Sequence, residues 1–280
     1  MVFTTLIDSD ELARNLDNPR FVIFDCRHEL TNPEFGDKAY AHSHLPNAHF
    51  ASVDRDLSSP PTGSNGRHPM PSVSQFSAWL GSKGVSNDVQ VIGYDNAAGV
   101  YASRLWWMLR WLGHDAVAVL DGGWDAWVAA GGSTTQDIPT AVPATFSPQV
   151  RDVNVDAAYI LANLESGKTQ VIDARSNDRF HGQNETIDPV GGHIPGAINR
   201  FFKNNLGENG RFLPASELRK EFEALIGSTP VEQVIHQCGS GVSACHNLLA
   251  MELAGMGGSR LYPGSWSEWV ADPARPVATD

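Results

Sequence analysis

The sequence predicts an α/β fold in two tandem domains, each a short parallel sheet with helices on both faces. The first sign is an internal duplication. Phe21-Val22-Ile23-Phe24-Asp25-Cys26-Arg27 returns as Thr169-Gln170-Val171-Ile172-Asp173-Ala174-Arg175, and His44-Leu45-Pro46-Asn47-Ala48 returns as His193-Ile194-Pro195-Gly196-Ala197. Asn65-Gly66-Arg67 matches Asn209-Gly210-Arg211, and Val91-Ile92-Gly93-Tyr94-Asp95 matches Val234-Ile235-His236-Gln237-Cys238. Leu120-Asp121-Gly122-Gly123-Trp124 matches the stretch from Leu261 to Trp266. Matches that keep their order along the chain mark a tandem repeat rather than chance. The second sign is that each half alternates short β-branched runs with patterns of helical period, as parallel sheets covered by helices do. The third is a stretch from Gly131 to Val150, rich in Thr, Pro, Ser and Gly and without apolar period, which reads as a linker.

Taken in order, strands are expected near Phe21–Asp25, His49–Val53, Val89–Tyr94 and Ala116–Leu120. Helices are expected near Asp10–Leu16, Val73–Leu80, Val100–Leu112 and Trp124–Ala130. The second half repeats the scheme, with helices near Val155–Leu164, Ser216–Ile226, Ser243–Met256 and Ser265–Val270. This divides the chain into a first domain at residues 1–132, a linker at 133–150 and a second domain at 151–280.

The 280 residues, 41% of them hydrophobic, suffice for two cores. A net charge of −12 argues against nucleic acid or an anionic membrane as partner. Neither a signal-peptide pattern nor an apolar run of spanning length occurs, and the most apolar helical stretch, Leu105–Leu112, is interrupted by Arg110. Three cysteines without a Cys-x-x-Cys pair make neither a disulfide framework nor a zinc site, so a reducing, cytoplasmic setting is expected, with no metal and no cofactor.

The duplication separates scaffold from chemistry. Features present in both halves, such as Asp25/Arg27 with Asp173/Arg175 and His44 with His193, read as ion pairs and loop anchors. Features of one half are candidates for chemistry. At Val234–Cys238 an apolar strand ends on a cysteine, followed by Gly239-Ser240-Gly241-Val242-Ser243 and then a helical pattern. Backbone N–H groups of such a loop and of the following helix converge beyond the strand end, where an anion is stabilised and a thiol becomes reactive. The two glycines let the backbone curl around the sulfur; a merely packed cysteine would need neither glycine. The first half has Asp95 at this place, so only the second half can act through sulfur. Cys26 aligns with Ala174 and reads as packing; Cys245, within the helix that follows the loop, reads as packing or as a redox partner. Ser240, two residues after the cysteine, Arg179, aligned with Thr31, and His68, aligned with Phe212, also survive the subtraction. His68 belongs to the half without the cysteine and matters only if its loop reaches Cys238.

These residues resemble the two-domain sulfurtransferases of the rhodanese superfamily over nearly the whole length, including the closing Tyr262-Pro263-Gly264-Ser265-Trp266-Ser267-Glu268-Trp269. The Cys-Gly-Ser-Gly-Val-Ser loop is similar to that of members that use 3-mercaptopyruvate; thiosulfate-specific members usually carry basic residues where Gly239 and Ser240 stand. The resemblance implies a silent first domain and a persulfide on Cys238. It implies a Ser240, His68 and Asp54 arrangement for the carbonyl and the proton, and Arg179 as the arginine that holds the donor carboxylate. Gly239, Gly241, Val242 and Ser243 complete the implied substrate-binding loop. The donor would be 3-mercaptopyruvate or thiosulfate, and the acceptor a thiol, cyanide or a reduced dithiol protein. One departure stands out: the segment Gly182–Gly191 lacks the second arginine such members commonly have, so either Arg200 or Lys203 compensates or the donor binds less tightly.

Three rival readings follow from the same residues. A cysteine-dependent phosphatase would need an arginine where Ala244 stands. A non-catalytic binding module would not need Cys238. A thiosulfate:cyanide sulfurtransferase would fit the missing arginine.

Overall fold

A computed structural model describes residues 2–280. They form two compact units, each of them discontinuous in sequence. The first takes the chain up to Ser59, Met70–Asp152 and Asn209–Arg211; the second takes Pro60–Pro69, Val153–Glu208 and Phe212–Asp280.

In the first unit, β1 (Leu6–Ile7) leads into α1 (Ser9–Ala13), whose first turn is closed by the Asp8 carboxylate accepting from the Glu11 N–H. There follow β2 (Phe21–Asp25), α2 (Phe35–His42), β3 (Ala48–Phe50), α3 (Val73–Ser82), β4 (Gln90–Tyr94), α4 (Ala102–Trp111), β5 (Val117–Leu120) and α5 (Gly123–Ala129). All pairings are parallel, in the order β1-β5-β4-β2-β3. The run expected as a strand from His49 to Val53 pairs only through Phe50. β3 is the sheet edge, and from Ser52 the chain turns, with the Asp56 and Leu57 N–H groups both donating to the Ser52 carbonyl. α2 left no helical signal in the sequence because it buries only Gly36 and Tyr40.

The second unit contains α6 (Ala157–Asn163), β6 (Gln170–Asp173), α7 (Asn177–Phe180), β7 (Ile198–Asn199), a 3₁₀ turn at Phe202–Asn205 and α8 (Ala215–Ile226). A 3₁₀ turn at Val231–Gln233, β8 (Val234–Gln237), α9 (Ala244–Leu253), β9 (Arg260–Leu261) and α10 (Ser265–Trp269) complete it. Its parallel sheet has the order β7-β6-β8-β9. Strand alternation splits the core in two. Val171 and Ile235 pack with Ile160, Phe180, Trp266 and Trp269 on one face. Ile172 and Val234 pack with Leu218, Phe222, Ile226 and Met251 on the other. Leu218, Phe222 and Ile226 recur every four residues, so α8 presents one apolar stripe to the sheet. Helices therefore cover both faces, as expected.

The duplicated Asp-x-Arg elements are scaffold. In each unit the aspartate accepts from the backbone N–H and the guanidinium two residues on, with Arg27 Nη2 to Asp25 at 2.6 Å and Arg175 Nη2 to Asp173 at 2.7 Å. The same nitrogen donates to a carbonyl ahead of the next strand, Ser43 or Gly192, both at 2.6 Å. Each guanidinium also lies over an indole, Trp124 or Trp266, which explains why that tryptophan is repeated. His44 and His193 bond the carbonyls of Tyr40 and Phe180 and stack on the same two rings. Among the described residues no helix is long and apolar enough to cross a membrane.

His236, on β8, is fully buried with its Nε2 against Met251 Sδ. Burial, with Arg200 assisting, pushes its pKa down to about 3. The unfolded chain therefore binds a proton between pH 6.5 and 3 that the fold does not, and stability falls as pH drops through that window. Between pH 7.5 and 5 the contribution is about 2 kcal/mol. Urea unfolding at both pH values should show His236→Leu losing less stability on acidification than the parent by about that amount. An identical pH dependence in the two proteins refutes the assignment.

Candidate active site

β8 lies between β6 and β9 with all four residues buried, so Cys238 leaves the sheet from a rigid base. The chain then turns through Gly239–Ser243 into α9, with Val242 buried and Ser243 preceding the first helical residue. Gly241 adopts φ +77° and its N–H donates to Cys238 Sγ at 3.2 Å. A Cβ at Gly241 would run into the Pro263 carbonyl oxygen, so both space and backbone require glycine there. Cys245 Sγ donates to the Gly241 carbonyl at 3.3 Å from inside α9.

The loop is braced from behind by Gly264-Ser265-Trp266, which stands where the first unit has Gly122-Gly123-Trp124. Ser265 Oγ accepts from the Cys238 N–H at 3.1 Å and donates to the Tyr262 carbonyl at 2.9 Å. The Trp266 and Ser267 N–H groups donate to the carbonyls of Cys238 and Gly239, both at 2.9 Å. Ser265 holds φ +55°, a conformation that costs a non-glycine residue about 1–2 kcal/mol. Its hydroxyl is the compensating gain. Sequence reasoning passed over Ser265; the available signal was that Gly123 stands at the matching place in the first unit.

The first unit shows how many donors such a loop aims at one side chain. The Asp95 carboxylate, at the place of Cys238, accepts from the N–H groups of Ala97, Gly99, Tyr101 and Ala102 at 2.7–2.9 Å. Burial outweighs these four donors and raises the Asp95 carboxyl above its usual range, so the cradle offsets only part of the cost of enclosing a charge. Cys26, by contrast, is fully enclosed, and burial together with Asp95, Asp25 and Asp56 pushes its thiol well up. It is chemically quiet.

His68 reaches the Cys238 loop because Pro60–Pro69 folds with the second unit. Its Nδ1 lies 2.7 Å from Ser240 Oγ, both residues being buried. The segment is pinned by the Arg67 N–H donating to Ser267 Oγ at 2.9 Å. Asp54 belongs to the first unit, in the turn after β3, with its carboxylate 4.0 Å from His28 Nδ1.

Arg179 stands on α7, a four-residue helix invisible to periodicity. Its Nε and Nη2 donate to Glu185 at 2.9 and 3.0 Å, and Nη2 also to Asp188 at 3.0 Å. Burial opposes the charge on Glu185, but Arg179 and the N–H groups of Asp188 and Ile187 outweigh it and hold that carboxyl below its usual range. The expectation that Arg200 replaces a second arginine fails. Arg200 lies over the Phe222 ring and donates to Asn205 at 3.1 Å and Glu221 at 2.8 Å. Lys203 lies over the Phe201 ring. The guanidinium that does come near is Arg67, whose Nη2 is 3.0 Å from where a Gly239 Cβ would stand; the matching distance for Arg179 Nη2 is 3.8 Å. The duplication hid Arg67, since Asn65-Gly66-Arg67 and Asn209-Gly210-Arg211 read as shared scaffold.

The site thus gathers a sulfur at a strand end, a glycine N–H three residues on that donates to it, and a histidine-bonded serine two residues on. The model of the rhodanese-like domain matches twice, at residues 8–130 and 156–272. The chain belongs to the rhodanese-like domain family. It is 46% identical over 277 residues to a Pseudomonas aeruginosa protein named "Probable 3-mercaptopyruvate sulfurtransferase", with 98% of each chain covered. It is 37% identical over 240 residues to the thiosulfate sulfurtransferase of Bos taurus, covering 83% of this chain and 79% of that one. Among solved structures, the 3-mercaptopyruvate sulfurtransferase from Leishmania major superposes with a TM-score of 0.86 at 30% identity, over 98% of this chain and 75% of that chain. This rhodanese-like protein is accordingly a sulfurtransferase enzyme, working on a small-molecule sulfur donor and an acceptor. The phosphatase reading lacks its guanidinium, since Ala244 begins α9 at the required place.

Proposed function

We propose that this protein transfers sulfur from 3-mercaptopyruvate through a persulfide on Cys238, releasing pyruvate. The supporting observation is the 2.7 Å contact between Ser240 Oγ and His68 Nδ1 beside the loop that carries Cys238. The Cys238 thiolate attacks the donor sulfur, the carbon–sulfur bond breaks, and its electron pair passes to carbon as the pyruvate enolate. The proton of the donor thiol ends on that carbon, relayed by Ser240 and His68, with Asp54 the proposed third member of the relay. The persulfide anion rests on loop N–H groups, as Asp95 rests on those of its own loop. An acceptor thiol, cyanide or a reduced dithiol protein then attacks the outer sulfur and restores the Cys238 thiolate. Arg179 binds the donor carboxylate, and Gly239, Gly241, Val242 and Ser243 shape the loop. Residues 1–132 are the proposed silent domain, 133–150 the linker and 151–280 the catalytic domain, and the proposed setting is the reducing cytoplasm.

A second reading, thiosulfate as donor, is favoured by the two guanidinium groups beside Gly239, which suit a doubly charged anion. Initial rates with each donor and cyanide as acceptor decide between them. The expected result is a kcat/KM ratio favouring 3-mercaptopyruvate; a ratio favouring thiosulfate overturns the donor assignment. Ser240→Ala and His68→Ala should each lower mercaptopyruvate turnover by about a hundredfold and thiosulfate turnover far less, because only the first donor needs a proton delivered to carbon. Equal losses with both donors remove Ser240 and His68 from the relay.

A further inference from the structure

The repeated Asn-Gly-Arg turn carries one reactive dipeptide, Asn-Gly, into two different surroundings. In Asn65-Gly66 both polar atoms of the carboxamide are tied away from the glycine. Asn65 Oδ1 accepts from the Thr62 N–H at 2.7 Å, and Nδ2 donates back to the Pro60 carbonyl at 3.4 Å. Gly66 packs on Gly264, whose carbonyl oxygen is 2.8 Å from where a Gly66 Cβ would stand. In Asn209-Gly210 the carboxamide points the other way along the chain. Asn209 is exposed, and its Oδ1 accepts from the Arg211 N–H at 3.1 Å. Apart from its chain neighbours, no described residue comes within 4 Å of where a Gly210 Cβ would stand, so that side of the turn is open.

We infer that Asn209-Gly210 is a site of spontaneous deamidation and that the fold shields Asn65-Gly66 from the same reaction. The chemistry needs only the chain and water. Base removes the Gly210 N–H proton, and the nitrogen attacks the carboxamide carbon of Asn209. The side-chain carbon–nitrogen bond then breaks, and the nitrogen leaves with a proton as ammonia. Water opens the resulting cyclic imide at either carbonyl, giving aspartate or, with one more methylene in the main chain, isoaspartate. A hydrogen bond from the N–H two residues on to Oδ1 folds the carboxamide over the intervening nitrogen. It also sets a donor on the oxygen that takes up negative charge during the attack, as an oxyanion hole does. Asn209 has both advantages, and glycine presents no side chain to block the approach. The Asn65 carboxamide is drawn back toward Thr62 and Pro60, so it must give up two hydrogen bonds before it reaches an attack geometry. The shielded copy is the one that precedes Arg67 and His68. An added methylene there would shift His68 from Ser240, now 2.7 Å away.

Trypsin places the two sites in separate peptides, one ending at Arg67 and the other at Arg211. Native protein is incubated at neutral and at mildly alkaline pH and digested at intervals for mass spectrometry. The Arg211 peptide should gain about 1 Da at least about tenfold faster than the Arg67 peptide, with fragment ions placing the gain on Asn209. Its rate should rise with pH, because base must remove the Gly210 N–H proton. Asn209→Gln, whose longer side chain has to close a larger ring, should abolish the gain in that peptide. In guanidinium chloride neither turn persists, and the two peptides should gain mass at similar rates, since both hold the same Asn-Gly-Arg sequence. That comparison separates protection by the fold from the reactivity of the sequence. Equal rates in the native protein, a faster gain in the Arg67 peptide, no gain in the Arg211 peptide, or the same disparity in denaturant each overturn the inference.

Discussion

Cys238→Ser should leave a folded protein that transfers no sulfur from either donor, a loss of at least about a thousandfold. The substitution exchanges Sγ for a smaller Oγ at a site that already offers a donor, the Gly241 N–H. The bonds bracing the loop, from Ser265, Trp266 and Ser267, involve only the backbone of residues 238 and 239 and survive unchanged. Melting temperature should therefore move by no more than a few degrees. Mass spectrometry after exposure to donor should show one added sulfur atom on the parent and none on the variant. The other two thiols act as internal controls. Cys26 is enclosed in the first unit's core, and Cys245 is buried in α9 with its thiol on the Gly241 carbonyl. Sulfur found on either of them, or turnover retained by Cys238→Ser, refutes the mechanism.

Asp173→Ala should be the most destabilising single change away from the loop, costing about 3–5 kcal/mol. Asp173 is 0% and Arg175 3% exposed, so removing the carboxylate leaves a cation deep in the fold. The exposed pair Arg219–Glu223 on α8, at 2.8 Å, supplies the comparison. Arg219→Ala should cost no more than about 1 kcal/mol, since solvent screens both partners and the side chains give up entropy to meet. Urea denaturation of both variants measures the difference. Asp173→Ala has a functional consequence as well. Arg175 ties the Gly192 carbonyl at 2.6 Å and packs on Trp266, which bounds the segment carrying Glu185 and Asp188. KM for the donor should rise along with the loss of stability. Similar stability costs for the buried and the exposed pair would mean that Arg175 finds another partner, with Glu185, 3.7 Å from its Nη1, the nearest candidate.

How much of this was legible in the chain differs from residue to residue. Cys238 could be found because strand, small-residue loop and helix are consecutive in sequence, and local order alone places the sulfur at the strand end. The Asp-x-Arg and His-x-Pro elements were readable as scaffold because each occurs twice. Asp95 against Cys238 identified the half that can carry the chemistry for the same reason. α2 and α7 were not readable, since short helices that bury one or two side chains leave no periodic trace. α7 carries Arg179, which was found by its mismatch with Thr31 instead. Subtracting one half from the other also misled. It assigned Arg67 to the scaffold, although a repeated sequence does not guarantee a repeated environment. Arg67 lies against Gly239 and Asp188, whereas Arg211 pairs with Asp121 in the first unit at 3.8 Å.

The sequence by itself determined the fold class, the duplication and the family, and singled out Cys238 as the candidate nucleophile, because these depend on residues close together in the chain or on patterns of polarity along it. Only the tertiary structure decided that Pro60–Pro69 folds with the second unit, bringing His68 to Ser240 across 172 positions of sequence. It also decided that Asp188 lies between Arg67 and Arg179 and that Arg200 is committed to Glu221. The physical reason is the same in each case. Charge and hydrogen-bond pairing act over a few ångströms of space. Which distant loops come within that range depends on how the chain packs.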